Sequence, residues 1–466
     1  MKRLTAGSFL LACVLVGNVT TAQEFVPSVS VWVGHTDNPL AIYHPQDSAY
    51  YSDLNAGFSY THQSKRSDIE ADLRVVRRDY FGTDIGGSTL PSGRAEISYD
   101  FIQDRLSWVL EDTVGQVSAR PYEALSNPDR ATLNVFTTGP DLQLTLGERG
   151  YLLAEGRAGR SQFNQMNIDS ADYSGGLTIG RELSPRAKLG VIVAARTTDY
   201  GRNGGGRNDF QDVYISLSMV GARTELDVAG GAIAVDTTGS RRRSSPSFRM
   251  TLTREASPRA VIGLDYFRGF SESVQAFVRD STTGTGAAGE AALDITAAPF
   301  LSETYRLDFV KGEGRFDVGA RIGYSKENYA GEQSAPPTGD RRALDGEIAL
   351  EYQLSSKVQF VTDFQATRYR TLGTQIRPAS TQQAWSGTAG VVGQVSRSLG
   401  VGVLFLYSKG DADLSRTRSF IERRFIAGLI YEPRAKSPRL YDPMRNFRRF
   451  QAQVTAKLPK NRIPAP

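Results

Sequence analysis

The chain has 466 residues, among them 46 Gly, 20 Tyr, 22 Phe and one Cys, with 55 basic against 50 acidic side chains. A mean hydropathy of -0.33, and no apolar run of about 18 residues past the N-terminus, exclude a helical membrane protein. One cysteine excludes a disulfide framework, and the near balance of charge gives no nucleic-acid partner to expect.

Residues 1–22 read as a signal peptide. Lys2 and Arg3 form a basic start, Phe9 to Val16 a short apolar core, and Thr20 and Ala22 the small positions before a cleavage point. The mature chain then begins near Gln23. Leu10-Leu11-Ala12-Cys13 also fits a lipobox. If Cys13 leaves with the signal, the mature chain has no thiol and no CxxC metal site.

From about Val29 to Tyr431 one pattern repeats: segments of about ten residues that alternate apolar with polar. Phe316, Val318, Ala320, Ile322 and Tyr324 alternate with Arg315, Asp317, Gly319, Arg321 and Gly323. Such a strand has one greasy and one wet face. Behind a signal peptide the series predicts an all-β fold, a single antiparallel up-and-down transmembrane barrel over residues 23–432, of about 20 strands, or 18 if two neighbours merge.

In chain order, short turns fall at Gln63 to Arg66, Gln103-Asp104, Gly147 to Arg149, Leu183 to Arg186, Gly221, Ser257-Pro258, Gly312 to Gly314, Ser355-Ser356 and Ser396-Arg397. The alternate connections are longer, the longest from Glu272 to Pro299. Short turns belong on the periplasmic side and long loops outside, which puts the N-terminus in the periplasm. Tyr80, Tyr200, Tyr266, Tyr324 and Tyr407 end outward strands, and Tyr60, Tyr99, Phe309, Tyr352 and Tyr431 end returning ones. Each set is expected to form an aromatic girdle. A soluble propeller would show a blade repeat of about 40 to 50 residues, and none is present.

Little in the chain suggests catalysis. Of three histidines, His35 and His44 fall in the first predicted loop and His62 at a turn. His35-Thr36-Asp37-Asn38 is the one compact polar cluster, and a turn capped by Asp and Asn explains it. There is no paired-His motif and no EF-hand loop. The expectation is a non-enzyme without metal or cofactor.

The wet faces carry the candidate site. They present Glu70, Asp72 and Arg74; Glu155 and Arg157; Glu225 and Asp227; Arg306 and Asp308; Arg315, Asp317 and Arg321; and Asp345, Glu347 and Glu351. A barrel this large holds a wide lumen, and charges of mixed sign inside it set a field and hydrogen-bond polar solutes. The same charges would also serve simply to solvate and brace the wall.

Residues 433–466 form a basic tail, with Arg434, Lys436, Arg439, Arg445, Arg448, Arg449, Lys457, Lys460 and Arg462 against Asp442 alone. Beside a mildly acidic barrel it would enter the lumen as a plug, touch anionic lipid or polymer, or remain a solvated extension. Asp442-Pro443 looks like a helix start, with Met444, Phe447, Phe450 and Val454 roughly on one side. Phe450, Ala452, Val454, Ala456 and Leu458 also alternate like a strand.

Three stretches carry a family resemblance: Thr36-Asp37-Asn38-Pro39-Leu40, Phe136-Thr137-Thr138-Gly139-Pro140-Asp141-Leu142, and Gly180-Arg181-Glu182-Leu183-Ser184-Pro185-Arg186-Ala187. With them the chain resembles the β-barrel porins found with exopolysaccharide and exosortase gene clusters. The resemblance implies a barrel in the outer membrane of a Gram-negative bacterium, surrounded by outer-membrane lipid. It also implies export of a polysaccharide and a periplasmic export partner. A general diffusion porin and a structural barrel or adhesin are the alternatives. The chain departs from many such barrels in ending Ile463-Pro464-Ala465-Pro466 rather than in an aromatic.

Overall fold

A computed structural model describes residues 22–40, 48–118, 130–164, 168–201, 206–283, 290–291, 297–329, 340–372, 379–412, 419–433, 443–444, 447–448 and 450–451. The signal segment, His44 and most of the basic tail lie outside the described residues.

The first wall runs through β1 (Ala22–Thr36), β2 (Ala49–Gln63), β3 (Ser67–Phe81), β4 (Ser88–Ile102), β5 (Leu106–Ser118), β6 (Arg130–Leu146) and β7 (Gly150–Phe163). It continues with β8 (Ser170–Ser184), β9 (Ala187–Asp199), β10 (Arg207–Val220), β11 (Thr224–Thr237), β12 (Arg243–Ser257) and β13 (Ala260–Ser271). A helix, α1 (Ser273–Thr283), and a two-residue strand, β14 (Glu290–Ala291), lie in the longest connection. The rest of the wall is β15 (Phe300–Glu313), β16 (Phe316–Asn328), β17 (Arg341–Gln353), β18 (Val358–Thr371), β19 (Ser380–Gln394), β20 (Leu399–Ala412) and β21 (Phe420–Tyr431). Each wall strand pairs antiparallel with the next, and β1 closes on β21 from Val29↔Tyr431 to Thr36↔Arg424. The result is a closed barrel of 20 strands; β14 stays outside the wall and pairs parallel with Gln116 and Val117 of β5.

The alternation fixes which face is which. On β16, Phe316 and Ile322 are exposed while Gly319, Arg321 and Gly323 are buried. The same phase exposes Ile348 and Tyr352 on β17, Val191 and Val193 on β9, and Phe425 and Leu429 on β21. Apolar side chains on the outside of a closed sheet are the mark of a barrel in lipid, and closure leaves the wall no unpaired edge at membrane depth.

Turn chemistry explains the short end. Ser64, Ser184, Ser257, Ser355 and Ser396 each use the side-chain oxygen to accept a backbone N–H two residues on, a local hydrogen bond that makes serine a turn former. Gly314 reaches φ 62° between β15 and β16, a left-handed conformation that suits glycine.

The Phe136–Leu142 stretch lies within β6, where Pro140 supplies no N–H and the pairing with β7 skips Gly139 and Pro140. A β-carbon at Gly139 would stand 1.9 Å from the Gly156 carbonyl oxygen, so only glycine lets the two strands meet there. Arg157 mends the gap by donating to the carbonyls of Pro140 (3.2 Å) and Gly156 (2.9 Å).

Four expectations need correction. His35 is in β1, edge-on to Tyr50, and His62 is in β2, stacked on Tyr60. Neither stands in a loop or turn, because both strands run further than the apolar pattern. Tyr80 and Tyr200 do not join the outer girdle. Tyr80 shares the inner face of β3 and stands 6.0 Å from buried Tyr51, and Tyr200 is buried beside Glu272. The outer row is instead built by Phe248, Tyr266, Tyr305 and Tyr324, and by Phe364, Trp385 and Tyr407, with successive ring centroids 4.6–6.4 Å apart.

Candidate functional site in the barrel lumen

The inner faces of β13 to β17 carry a chain of ion pairs. Arg306 holds Asp265 at 2.8 Å and Asp308 at 3.0 Å, and Arg321 holds Asp308 at 2.6 Å and Glu347 at 3.1 Å. Register places them: Asp265↔Arg306, Asp308↔Arg321 and Arg321↔Glu347 are direct cross-strand neighbours. The Arg321 and Asp308 side chains are each 2% exposed. Burying such a pair costs nearly what its attraction returns, so the chain of charges fixes a pattern of donors and acceptors more than it stabilises the wall. Asp345 adjoins it, its carboxylate 2.5 Å from where a β-carbon on Gly323 would stand.

Other charges read from the sequence line other parts of the wall. Asp72 is level with Arg94 of β4 and Glu70 with Glu96; Arg94 reaches Glu96 at 2.9 Å and Glu111 at 3.5 Å. Arg74 shares the inner face of β3. Arg157 is bidentate to Asp141, with Glu155 level with Asp141 on the neighbouring strand. Glu225 and Asp227 face inward on β11, level with Thr253 and Thr251. Arg315 is not on the wall: it sits exposed in the turn before β16.

Asp317 and Glu351 are brought together by a residue of the tail. Arg448 donates to Glu351 and lies 3.6 Å from Asp317. Next to it, Phe447 is fully buried, 5.1 Å from the Arg321 guanidinium and pressed on Gly319, where a β-carbon would come within 2.4 Å of the ring. Met444 and Phe447 pack on Val310 and Ala349, with Phe450 against them and against Val261. Phe447, Arg448, Phe450 and Gln451 are helical. These contacts lie on the inner wall, near the short-turn ends of β13, β15, β16 and β17.

The long-loop end is obstructed by different material. Val274, Ala276 and Phe277 of α1 pack on Val117, Leu133, Val135 and Phe163 from β5 to β7, and on Phe300 and Tyr329 from the other side. Glu272, 1% exposed, anchors the start of the helix. It accepts from Thr198 at 2.8 Å and Asn208 at 2.7 Å, with Arg196 at 3.6 Å. Burial pushes its carboxyl up, against the opposing pull of Arg196. Burial, and then the Glu272 charge, push the Tyr200 hydroxyl well up. Glu272, Arg196 and Asn208 escaped the sequence reading. Strand period alone places Arg196 and Asn208 on inner faces, but nothing local marks Glu272 as buried.

The Thr36-Asp37-Asn38 cluster is a clasp rather than a reactive centre. Thr36 donates to Glu422 at 2.9 Å, Asn38 to the Ile421 carbonyl at 2.9 Å, and the Arg423 N–H to Asp37 at 2.7 Å. It ties the first strand to the last where the barrel closes.

No protein-family model matches the chain, and neither does any curated protein. Solved structures similar to it include the FrpB iron transporter from Neisseria meningitidis, at 10% identity and TM-score 0.42, covering 87% of this chain and 82% of that one. A variant of the ferric enterobactin receptor from Pseudomonas aeruginosa is similar at 9% identity and TM-score 0.44, covering 88% and 80%. The copper transporter OprC is similar at 9% identity and TM-score 0.45, covering 88% and 80%. At such identities and TM-scores the likeness says nothing of what the chain does.

Proposed function

We propose that the protein is an outer-membrane channel that exports a carbohydrate polymer, an exopolysaccharide handed to it by a periplasmic partner. One observation carries the reading: a 20-strand wall that is apolar outside and lined inside by charges bonded to one another, from Asp265 to Glu347. Paired charges offer many donors and acceptors with little net field, which suits a hydroxyl-rich, weakly charged solute better than an ion. The three resembling stretches add support from sequence.

A second reading has its own observation. α1 folds into the outer mouth, and a narrowed mouth suits a general porin for small solutes. Deleting the gene separates the two. An exporter's loss abolishes surface polysaccharide and spares small-solute uptake; a porin's loss does the reverse. A strain unchanged in both points to a structural barrel or adhesin. Fractionation and the gel mobility of unheated and heated samples test the compartment, and recovery as a soluble periplasmic protein would defeat every version.

A further inference from the structure

Cross-strand register draws a line across the inner wall. Asp308, Arg321, Glu347, Gln365, Ser386, Ser408 and Glu422 are successive neighbours on β15 to β21. Because barrel strands tilt, a line perpendicular to them climbs. It starts five residues from the short-turn end of β15 and ends at Glu422, near the long-loop end of β21 and in the closing clasp. Every member can donate or accept a hydrogen bond. The line of neighbours next below it, toward the short turns, begins apolar or small with Val310, Gly319 and Ala349 and continues as Asp363, Thr388, Leu406 and Arg424. The diagonal is therefore unbroken in hydrogen-bonding groups, whereas the line below it is broken by apolar residues at its lower end, where the tail residues pack.

Accessibility divides the diagonal. Gln365, Ser386, Ser408 and Glu422 are half-buried, whereas Asp308 and Arg321 are buried. Phe447 lies over the Arg321 guanidinium, and Arg448 bonds to Glu351, four residues past Glu347 on the same face of β17. The Phe447 ring thus covers the lower end of the diagonal, where the charged groups Arg321 and Glu347 are the kind that hydrogen-bond a sugar's hydroxyls.

We propose that this diagonal is the binding track for a neutral, hydroxyl-rich oligosaccharide, and that the tail residues Met444, Phe447 and Arg448 are a built-in competitor seated on its lower end. The proposal rests on the channel reading and names the ligand class and the occupied site. A sugar chain takes the upper diagonal with the tail in place and the full diagonal once the tail leaves.

The test uses the full chain in planar bilayers, with maltohexaose as the probe and current block as the readout. Gln365→Leu and Ser386→Ala should each weaken block about fivefold, the worth of one net hydrogen bond. Phe364→Leu, on the lipid face next to Gln365, should leave it unchanged. Arg448→Ala, which loosens the competitor, should tighten block by a similar factor. The pair Gly319→Cys with Phe447→Cys brings two β-carbons within disulfide reach; oxidation should confine the sugar to the upper diagonal and so weaken block relative to the reduced pair, and reduction should restore it.

Block unaltered by the track variants, or by both Arg448→Ala and the oxidised lock, overturns the proposal. If the cysteine pair fails to assemble, the opposite signs expected for Gln365→Leu and Arg448→Ala decide the matter. The exporter reading fails separately. A deletion strain that keeps its polysaccharide defeats export and leaves the track standing. A strain that loses it, alongside track variants with unchanged block, defeats the track and leaves export standing.

Discussion

The two ends of the lumen are filled by unlike means. At the long-loop end a helix buries Val274, Ala276 and Phe277 in a cluster reaching from β5 to β16, and Glu272 is bonded to two wall strands. At the short-turn end three apolar side chains, Met444, Phe447 and Phe450, rest on a wall cut down by Gly263 and Gly319 and are held by an arginine reaching acidic residues. The first resembles a piece of protein core and its stability follows buried apolar area. The second resembles a bound peptide, with few anchors and a charge pair at its rim. A device meant to stay shut and one meant to move would differ in this way.

The largest expected effect comes from Phe277→Ala. A buried Phe→Ala change costs about 3–5 kcal/mol, which should detach α1 from the mouth while the barrel stays inserted. Hydrogen exchange at residues 273–283 and entry of large antibiotics are the measurements. Protection unchanged in α1 would show that the outer obstruction does not depend on its core.

Arg448→Ala comes next. It leaves Glu351, whose side chain is 5% exposed, without one charged partner, at a cost of about 1–3 kcal/mol. That should free the tail to protease in intact barrels and leave the exchange of α1 as it was. Equal loosening of both ends would mean that they form one unit and not two.

How much of this could be read beforehand depends on the physics of each part. The wall was legible, because alternation and serine or glycine turns are local signals; Ser355 and Ser396 stand where the hydroxyl must fold back. Tyr80 was legible and was misplaced by its position at a strand end. The period that puts Glu70, Asp72 and Arg74 on the inner face puts Tyr80 there as well. The 272–299 connection hid its helix because Ser273–Thr283 is a short segment rich in Ser, Thr and Val, helical only through packing on a distant wall. The middle of the tail fits both periods, and its contacts with Gly319 and Gly263 are made by strands far away in sequence.

pH separates the two ends more gently. The Glu272 carboxyl lies above its ordinary value through burial. The closed mouth therefore binds the proton more tightly than an opened one, in which Glu272 meets water. Its closure is favoured below the ordinary glutamate value, and the advantage is lost as pH rises through the raised one. Arg196 opposes the shift, while the negative charge of Asp172 adds to it; the raised Tyr200 stays neutral throughout. Exchange at α1 should accelerate across that window, and Glu272→Gln should flatten the dependence. Acceleration on acidification instead would reverse the assignment.

Salt should give the smallest difference and the most direct contrast of mechanism. From about 0.1 M to 1 M the screening length falls from about 10 to 3 Å. The Arg448 side chain is 28% exposed, so its attraction to Glu351 and Asp317 is only partly shielded by protein. Screening should weaken the seat of the tail by a fraction of the roughly 1 kcal/mol typical of such rim pairs. The packing of Phe277 carries no such charge pair. In a sodium chloride series the tail should therefore become more open to protease while α1 keeps its protection. Movement of both ends in one direction would show that they are held by the same force, and the distinction between a fixed and a movable obstruction would lose its basis.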